Sequence, residues 1–277
     1  MIARALVPRR VERVWGVSDP PFWAPGAAAG GAPIGEIWFE EPDGADRELL
    51  VKLLFTADRL SIQVHPGDAA ARAIGEKRGK DEAWLVLGAE PGALIGLGFK
   101  RDVSKDDLRA AALSGAIEDL IDWRPVHAGE FYYSPAGTVH AIGAGLTILE
   151  IQQNLDLTYR LYDYGRPRAL HLDQGIAAAD PRPWEPSAAP RRIGEGRTLL
   201  HAGGAFVVER WRCGAARRID TGGASVLIVP AADGGRLDGE ALSLGMVRRI
   251  DGAAELEGEC DIVAAYPGDA PLPALLA

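Results

Sequence analysis

The chain has 277 residues, of which 47% are apolar, and 30 Lys and Arg against 39 Asp and Glu give a formal net charge of −9. This length predicts one large domain or two unequal ones. The acidic balance and the scattered basic residues argue against nucleic-acid binding. Without an apolar stretch of roughly 20 residues or a secretory signal, we expect a cytoplasmic protein with no membrane partner.

The predicted elements begin after a segment without regular structure. Residues 1–34 are rich in Pro, Gly and Ala, and prolines at positions 20, 21 and 25 indicate an ordered cover. From Gly35 onward the chain consists of short β-favouring runs closed by Gly, Pro or Asp: GEIWFE, ELLVKLLF, RLSIQVH, EAWLVLG and ALIGLGF. Their lengths and spacing predict an antiparallel sandwich or barrel.

A helical insertion interrupts the strands at about residues 104–122. Ser104-Lys-Asp-Asp107 is a candidate capping box ahead of the helical pattern LRAAALSGAIEDLI. Strands resume with EFYYSP, HAIGAG and LTILEIQ, which close a first domain over 35–176. A Pro- and Ala-rich linker follows at 177–194, and a second small β domain is predicted over 195–277. Cys213 and Cys260 are too few for a disulfide scaffold, so we expect both to be reduced.

The segment from Leu60 to Pro66 places two candidate metal ligands on one face of a strand. Side chains alternate along a strand, so Ser61, Gln63 and His65 share a face. The amide oxygen of Gln63 and the imidazole of His65 suit adjacent positions around a divalent metal. On this segment alone, a solvated strand face that ends in a turn histidine is the alternative.

Two further candidate ligands follow along the chain. Glu82 opens the run EAWLVLG among apolar neighbours, so it requires a cation unless it is exposed at a strand edge. Residues 129–140 fit G-x5-P-x-G-x2-H, in which a tight turn delivers His140 to the next strand. This pattern resembles the second motif of the cupin superfamily. The chain departs from that pattern at Gln63, where cupins have His, at the late position of Glu82, and at Ala144, where they have Asn.

Longer segments narrow this resemblance to one family. LLVKLLFTADRLSIQVHP, GKDEAW, GFK, PAGTVHAIG and EIQQNLDLTYRLYDYGR resemble the bacterial type I mannose-6-phosphate isomerases over roughly residues 35–172. The resemblance implies a mainly β fold: a cupin-type jelly-roll β-barrel with a small helical insertion and a second, smaller, metal-free β domain. It also implies one Zn²⁺ per chain, held by Gln63, His65, Glu82 and His140.

The same resemblance implies roles for cationic and acidic residues. Arg160 in TYRLYD and Lys100 in GFK match an active-site arginine and lysine, with a surface salt bridge as the alternative for Arg160. Glu150 is either an inward acid or base or a buried ion-pair partner. Lys52 and Lys80 are weaker candidates for substrate binding, since most lysines are solvated.

The resemblance implies the interconversion of mannose 6-phosphate and fructose 6-phosphate through a zinc-assisted cis-enediol mechanism. An isomerase of another sugar phosphate, or a non-enzymatic cupin that binds sugar or metal, is the alternative. Leu155 and Leu157 stand where relatives have hydroxyl residues, so a contact of these positions with the sugar would change the substrate preference. The sequence leaves open whether the protein is a monomer or a homodimer.

Overall fold

The computed structural model of the chain describes residues 3–26 and 31–276. The helices are α1 (Asp68–Ala73), α2 (Lys105–Ser114), α3 (Ile117–Leu120) and α4 (Leu172–Ala178). In the described residues the longest helix has 10 residues, and none combines the length and the apolar character that a membrane crossing requires.

Strands dominate the fold. Those of the first half are β1 (Arg4–Ala5), β2 (Val7–Val17), β3 (Ile34–Glu40), β4 (Leu49–Thr56), β5 (Ile62–Val64), β6 (Glu82–Ala89), β7 (Leu94–Phe99), β8 (Ile121–Pro125), β9 (Phe131–Ser134), β10 (His140–Ile142), β11 (Leu146–Gln153) and β12 (Tyr159–Tyr162). Those of the second half are β13 (Arg191–Gly194), β14 (Arg197–His201), β15 (Phe206–Cys213), β16 (Arg217–Pro230), β17 (Arg236–Leu237), β18 (Glu240–Ala241), β19 (Arg248–Glu257) and β20 (Cys260–Pro267).

These strands form three sheets. A six-stranded sheet has the order β2-β3-β4-β11-β6-β9, and a five-stranded sheet has the order β12-β5-β10-β7-β8. The third sheet has nine strands. Eight come from the second half of the chain, in the order β13-β14-β15-β20-β16-β19-β17-β18, and the ninth is β1, which pairs with β19. The expectation of a mainly β fold is confirmed. In the described residues no closed barrel is detected, because the six- and five-stranded sheets pair only within themselves.

The six-stranded sheet is the middle layer. Because side chains alternate along a strand, its two faces pack in two different apolar cores. In β4, Val51, Leu53 and Phe55 pack in one apolar cluster with Phe206 and Val208 of the nine-stranded sheet. Leu54 points the other way, into a cluster with residues of the five-stranded sheet. Every residue of β4 is therefore buried, and its sequence LLVKLLFT is almost continuously apolar.

The helical insertion covers the outer face of the five-stranded sheet. The N–H of Asp107 donates to Ser104 Oγ over 3.1 Å, which supplies one bond of the expected capping box. Helix α2 then runs to Gly115, whose φ of 85° ends it in the left-handed conformation. Leu108 and Ala112 pack in the same apolar cluster as Ile62 and Val64 of β5.

The N-terminal segment differs from its expected irregular structure. Strand β2 occupies 11 residues, Val7–Val17, and pairs with β3 at the edge of the six-stranded sheet. Pro8 is compatible with this strand because an edge strand has one side without ladder hydrogen bonds. The prolines at 20, 21 and 25 do lie outside the strands. The expected linker also carries structure, since Trp184 Nε1 donates to the carbonyl oxygen of Tyr133 over 3.0 Å. The domain boundaries stay a prediction.

Candidate active site

Three buried side chains meet between the six- and five-stranded sheets. Glu82 begins β6 of the first sheet, whereas His140 begins β10 and His65 follows β5 of the second. His65 Nε2 lies 3.2 Å from Glu82 Oε1, and His140 Nε2 lies 3.4 Å from Glu82 Oε2. One ligand atom from each residue lies within 4.8 Å of the others, a spacing at which one metal ion could be bound by all three.

Gln63 lies beside this cluster because its strand pairs with that of His140. The two residues are direct partners in the ladder between β5 and β10. Gln63 Nε2 is 3.3 Å from His140 Nε2, while Gln63 Oε1 accepts a bond from Ser61 Oγ over 3.0 Å. The structure therefore brings together all four side chains that the sequence suggested as metal ligands.

A turn fixes the position of His140. Gly137 has a φ of 91°, which favours glycine, and the N–H of Thr138 donates to the carbonyl oxygen of Pro135 over 3.0 Å. The N–H of Gly137 donates to the carbonyl oxygen of His65, also over 3.0 Å. The turn that leads into His140 is thus attached to the backbone of His65, so the two imidazoles are held as a pair.

Backbone carbonyl groups fix the tautomer of both histidines. His65 Nδ1 lies 2.9 Å from the carbonyl oxygen of Leu157, and His140 Nδ1 lies 2.9 Å from that of Thr138. A carbonyl oxygen only accepts, so each Nδ1 must donate its proton and each neutral ring presents an unprotonated Nε2 to Glu82. Burial lowers the pKa of both histidines, that of His65 to about 4, which favours these neutral forms.

The cluster contains buried polar atoms without partners. Among the described residues, His65 Nε2 and Glu82 Oε2 are buried and make no hydrogen bond. Burial acts to raise the pKa of Glu82, but the charges around it, including Lys80 with Nζ 3.1 Å from Oε1, hold that pKa well below its ordinary value. Lys80 offsets this charge at Oε1, but Glu82 Oε2 and the imidazole lone pair of His65 are left in a buried space without a partner, which a bound cation would supply. The donor set of nitrogen and oxygen atoms fits a divalent metal.

A buried acid and lysine lie next to the cluster. Glu150 on β11 is paired in the ladders with Lys52 on β4 and Trp84 on β6. Its Oε2 lies 3.4 Å from Lys52 Nζ, and its Oε1 accepts the indole N–H of Trp84 over 3.0 Å. Burial, followed by the charge of Glu82, raises the pKa of Glu150 to about 7.

A cavity of about 280 Å³ opens onto this group. Its lining includes six of the residues suggested by the sequence: Lys52, Gln63, Lys80, Glu82, Glu150 and Arg160. Arg160 donates from Nη1 to the carbonyl oxygen of Ala169 over 2.9 Å, and its buried Nε has no hydrogen bond in the described structure. Cationic and carboxylate side chains therefore share one cavity with Gln63 and Glu82, two of the four candidate metal ligands, so a polar, anionic molecule could be bound and protonated there.

Other residues of the cavity were missed by sequence reasoning. Arg13 lines it with Nη2 2.7 Å from Glu36 Oε2, and Arg168 lines it while its guanidinium holds both oxygens of Asp163 at 2.6 Å. Arg13 belongs to the N-terminal segment, for which no strand was expected. The motif that ends in LYDYGR supports the resemblance, but it stops at Arg166, and no sequence pattern indicated a role for Arg168.

Lys100 lies apart from the other residues of the predicted site. It directly follows β7, its side chain is exposed, and its Nζ donates to the carbonyl oxygen of Asp119 over 2.9 Å. The side chain therefore faces the end of α3, and Lys100 does not line the cavity of the candidate metal ligands. The chain bends after Phe99, and this bend was not visible in the motif GFK.

Leu155 and Leu157 are also placed differently from the expectation of a sugar contact. Neither residue lines the cavity, whereas Asp156 and Thr158, which alternate with them, do. Leu155 is buried, and the carbonyl oxygen of Leu157 is the one that His65 contacts. Leu155 and Leu157 therefore lie outside the polar lining of the cavity.

Comparisons with known proteins agree with this geometry. The chain is 42% identical over 158 residues to a mannose-6-phosphate isomerase of Streptococcus mutans. This alignment covers 53% of this chain and 50% of that protein. The crystal structure of mannose 6-phosphate isomerase from Bacillus subtilis matches 96% of this chain and 99% of its own, with a TM-score of 0.85 and 26% identity. The chain is therefore similar to mannose-6-phosphate isomerases in both sequence and fold.

The extent of the similarity differs between sequence and structure. A second relative, mannose-6-phosphate isomerase ManA of Bacillus subtilis, is 38% identical over 159 residues, again 53% of this chain and 50% of the relative. The chain thus aligns with about half the length of these curated isomerases, although its fold matches nearly the whole crystal structure. No family model matches the chain. The family resemblance inferred from the motifs is confirmed.

Proposed function

We propose that the chain is an aldose-ketose isomerase that interconverts mannose 6-phosphate and fructose 6-phosphate. One observation supports this activity above the others: the buried cluster of metal-ligand type opens, through Glu82, onto a cavity that the buried acid Glu150 also lines. Cationic side chains line the same cavity, among them Lys52, Lys80 and Arg160. A sugar phosphate has hydroxyl oxygens that a metal could bind and a phosphate that the cationic side chains could bind. It also has the proton that moves between C1 and C2.

We infer that Gln63, His65, Glu82 and His140 hold one Zn²⁺ ion. The support is the unpartnered pair His65 Nε2 and Glu82 Oε2, which a cation would engage. Gln63 would contribute Oε1 by a half-turn of its amide, because Nε2 is the atom that now faces His140. A metal held by these residues would supply Lewis-acid polarisation of the sugar oxygens.

Glu150 is the residue proposed to transfer the proton. The reaction moves a proton between C1 and C2 through a cis-enediol, so it needs a group that takes up and releases a proton near neutral pH. Glu150, with its pKa raised to about 7 and its carboxylate held by Trp84 and Lys52, has these properties. Arg160 binds the phosphate as a fork of N–H donors, and Lys80 offsets the negative charge that develops on the sugar oxygens.

The experiment that tests the proposal combines metal analysis with an assay of fructose 6-phosphate formation. We expect about one zinc per chain by the usual ligand count of such a site, turnover of mannose 6-phosphate, loss of activity with a chelator and recovery with zinc. A zinc-loaded protein without turnover on any sugar phosphate would favour a non-enzymatic cupin. Turnover of a different sugar phosphate in preference to mannose 6-phosphate would favour the related isomerase.

A further inference from the structure

The two cysteines of the chain face each other in the nine-stranded sheet. Cys213 is the last residue of β15 and Cys260 the first of β20, and they are direct partners in the antiparallel ladder between these strands. Both are buried, with 7% and 8% of their surface exposed. Both belong to the apolar cluster on the face turned away from the six-stranded sheet, so they lie apart from the candidate active site.

The spacing of such partners is compatible with a covalent bond. Opposed residues of an antiparallel pair have Cα atoms about 4.5 to 5.5 Å apart. A disulfide spans Cα separations of about 4.4 to 6.8 Å. The ladder between β15 and β20 places the two residues directly opposite each other. Because both residues end their strands next to turns, the backbone there can adjust to the bond.

Access and reactivity favour Cys213 as the attacking thiol. A shallow groove on the surface is lined by both cysteines together with Gly214 and Ala232, and a small disulfide would approach the pair from this side. The hydrogen bond with Cys260, helped by Arg217 and opposed by burial, lowers the pKa of Cys213 to about 7. A large share of this thiol is therefore thiolate near neutral pH, which is the nucleophilic form.

We propose that Cys213 and Cys260 form a reversible covalent modification site whose oxidant is a low-molecular-weight disulfide. The thiolate of Cys213 attacks one sulfur of the small disulfide, forms a mixed disulfide and releases one thiolate. Cys260 loses its proton to water, and its sulfur attacks Cys213 Sγ and displaces the second small thiolate. Two protein thiols are oxidised to one disulfide, the small disulfide is reduced to two thiols, and an excess of small thiol reverses both steps.

The bond has a structural consequence that can be measured. It would join β15 to β20 and enclose the segment that forms β16 to β19 in a covalent loop. Closing such a loop restricts the unfolded chain, so the oxidised protein is expected to have a higher Tm than the reduced protein. Because the cysteines belong to an apolar core cluster that contains none of the candidate metal ligands, oxidation is expected to leave the metal content unchanged.

The test exposes the reduced, full-length protein to glutathione disulfide and then alkylates the remaining thiols before intact-mass analysis. We expect a monomer that has lost two hydrogens, carries no glutathione and accepts no alkyl group, with one peptide linking the two cysteines. Dithiothreitol should restore both thiols. Unreacted thiols in the folded protein, glutathione retained on the wild-type chain, or a disulfide between two chains would each overturn the proposal.

Two variants identify the order of the steps. Cys260→Ser should stop at the mixed disulfide on Cys213 and should show no rise in Tm on oxidation, because the loop cannot close. Cys213→Ser should react more slowly with glutathione disulfide than Cys260→Ser does. Equal rates in the two variants would contradict the role of Cys213 as the attacking thiol. If either variant fails to fold, the mass analysis of the wild-type protein still decides whether the bond forms.

Discussion

Lys52 Nζ lies 3.4 Å from Glu150 Oε2, and the two side chains are only 3% and 5% exposed. They are partners across β4 and β11, on the face of the middle sheet that forms the cavity. The pair has two separable effects. It neutralises a buried charge, which concerns stability, and it holds the carboxylate that we propose as the proton carrier, which concerns activity.

We expect Glu150→Gln to lower kcat by about 100- to 10,000-fold, the usual contribution of a general acid-base group. It should also destabilise the fold by about 3 to 5 kcal/mol, because Lys52 is left buried without its counter-charge. The double variant Lys52→Met/Glu150→Gln removes both charges and should recover most of the stability without recovering activity. Urea denaturation and steady-state kinetics of the three proteins separate the effects. Full activity in Glu150→Gln would exclude it as the proton carrier.

Arg160→Ala is expected to raise KM for the sugar phosphate and to reduce kcat/KM by about 100-fold or more, because a guanidinium fork to phosphate is lost. The zinc content should not change, since Arg160 is not a candidate ligand. Lys100→Ala is the matched control. Its side chain is exposed and contacts the carbonyl oxygen of Asp119, so we expect wild-type kinetics. An equal loss of activity in both variants would contradict the placement of the phosphate at Arg160.

Zinc should stabilise the fold, because its ligands come from two different sheets. A ligand that binds only the native state adds stability according to its concentration relative to its Kd, about 4 kcal/mol at 1,000 times Kd. We therefore expect chelation to lower the Tm of the wild-type protein and zinc to restore it. Glu82→Gln should show a much smaller response. His127→Ala, at an exposed histidine outside the cluster, should respond like the wild type. A Tm independent of zinc in the wild type would disagree with the four-residue site.

A pH effect is expected at His201, away from the cluster. Its ring stacks on Tyr133 with centroids 3.6 Å apart, and burial lowers its pKa from the ordinary 6.5. Below pH 6.5 the unfolded chain therefore binds a proton that the folded chain does not bind, so His201 makes stability fall as the pH falls. His201→Phe keeps the stacking and removes this titration.

The measurement is urea denaturation of the wild type and His201→Phe at pH 8 and pH 5.5. The variant loses the bond from Nε2 to the carbonyl oxygen of Gly203, 3.0 Å long, at both pH values. We expect its stability relative to the wild type to improve at the lower pH. A difference that stays constant between the two pH values would show that the folded and unfolded chains protonate His201 alike.

Local patterns in the sequence predicted many of the elements of the fold and the positions of the candidate metal ligands. Alternation in RLSIQVH put Gln63 and His65 on one face, and the Pro135–Gly137 turn placed His140 at the start of a strand. Ser104 indicated the start of α2. These features depend on backbone geometry over a few residues, so they can be read without knowing what lies next to them.

The sequence by itself determined the mainly β fold, the resemblance to the mannose-6-phosphate isomerases and the choice of candidate ligands, because each follows from short-range order or long collinear motifs. Only the tertiary structure decided that Lys100 faces away from the cavity, that Arg13 enters it from the N-terminal strand, and that Cys213 opposes Cys260. The physical reason is that strand pairing and sheet packing join residues far apart in the chain. The register of the paired strands depends on which face of each sheet is buried, and this cannot be deduced from one segment alone.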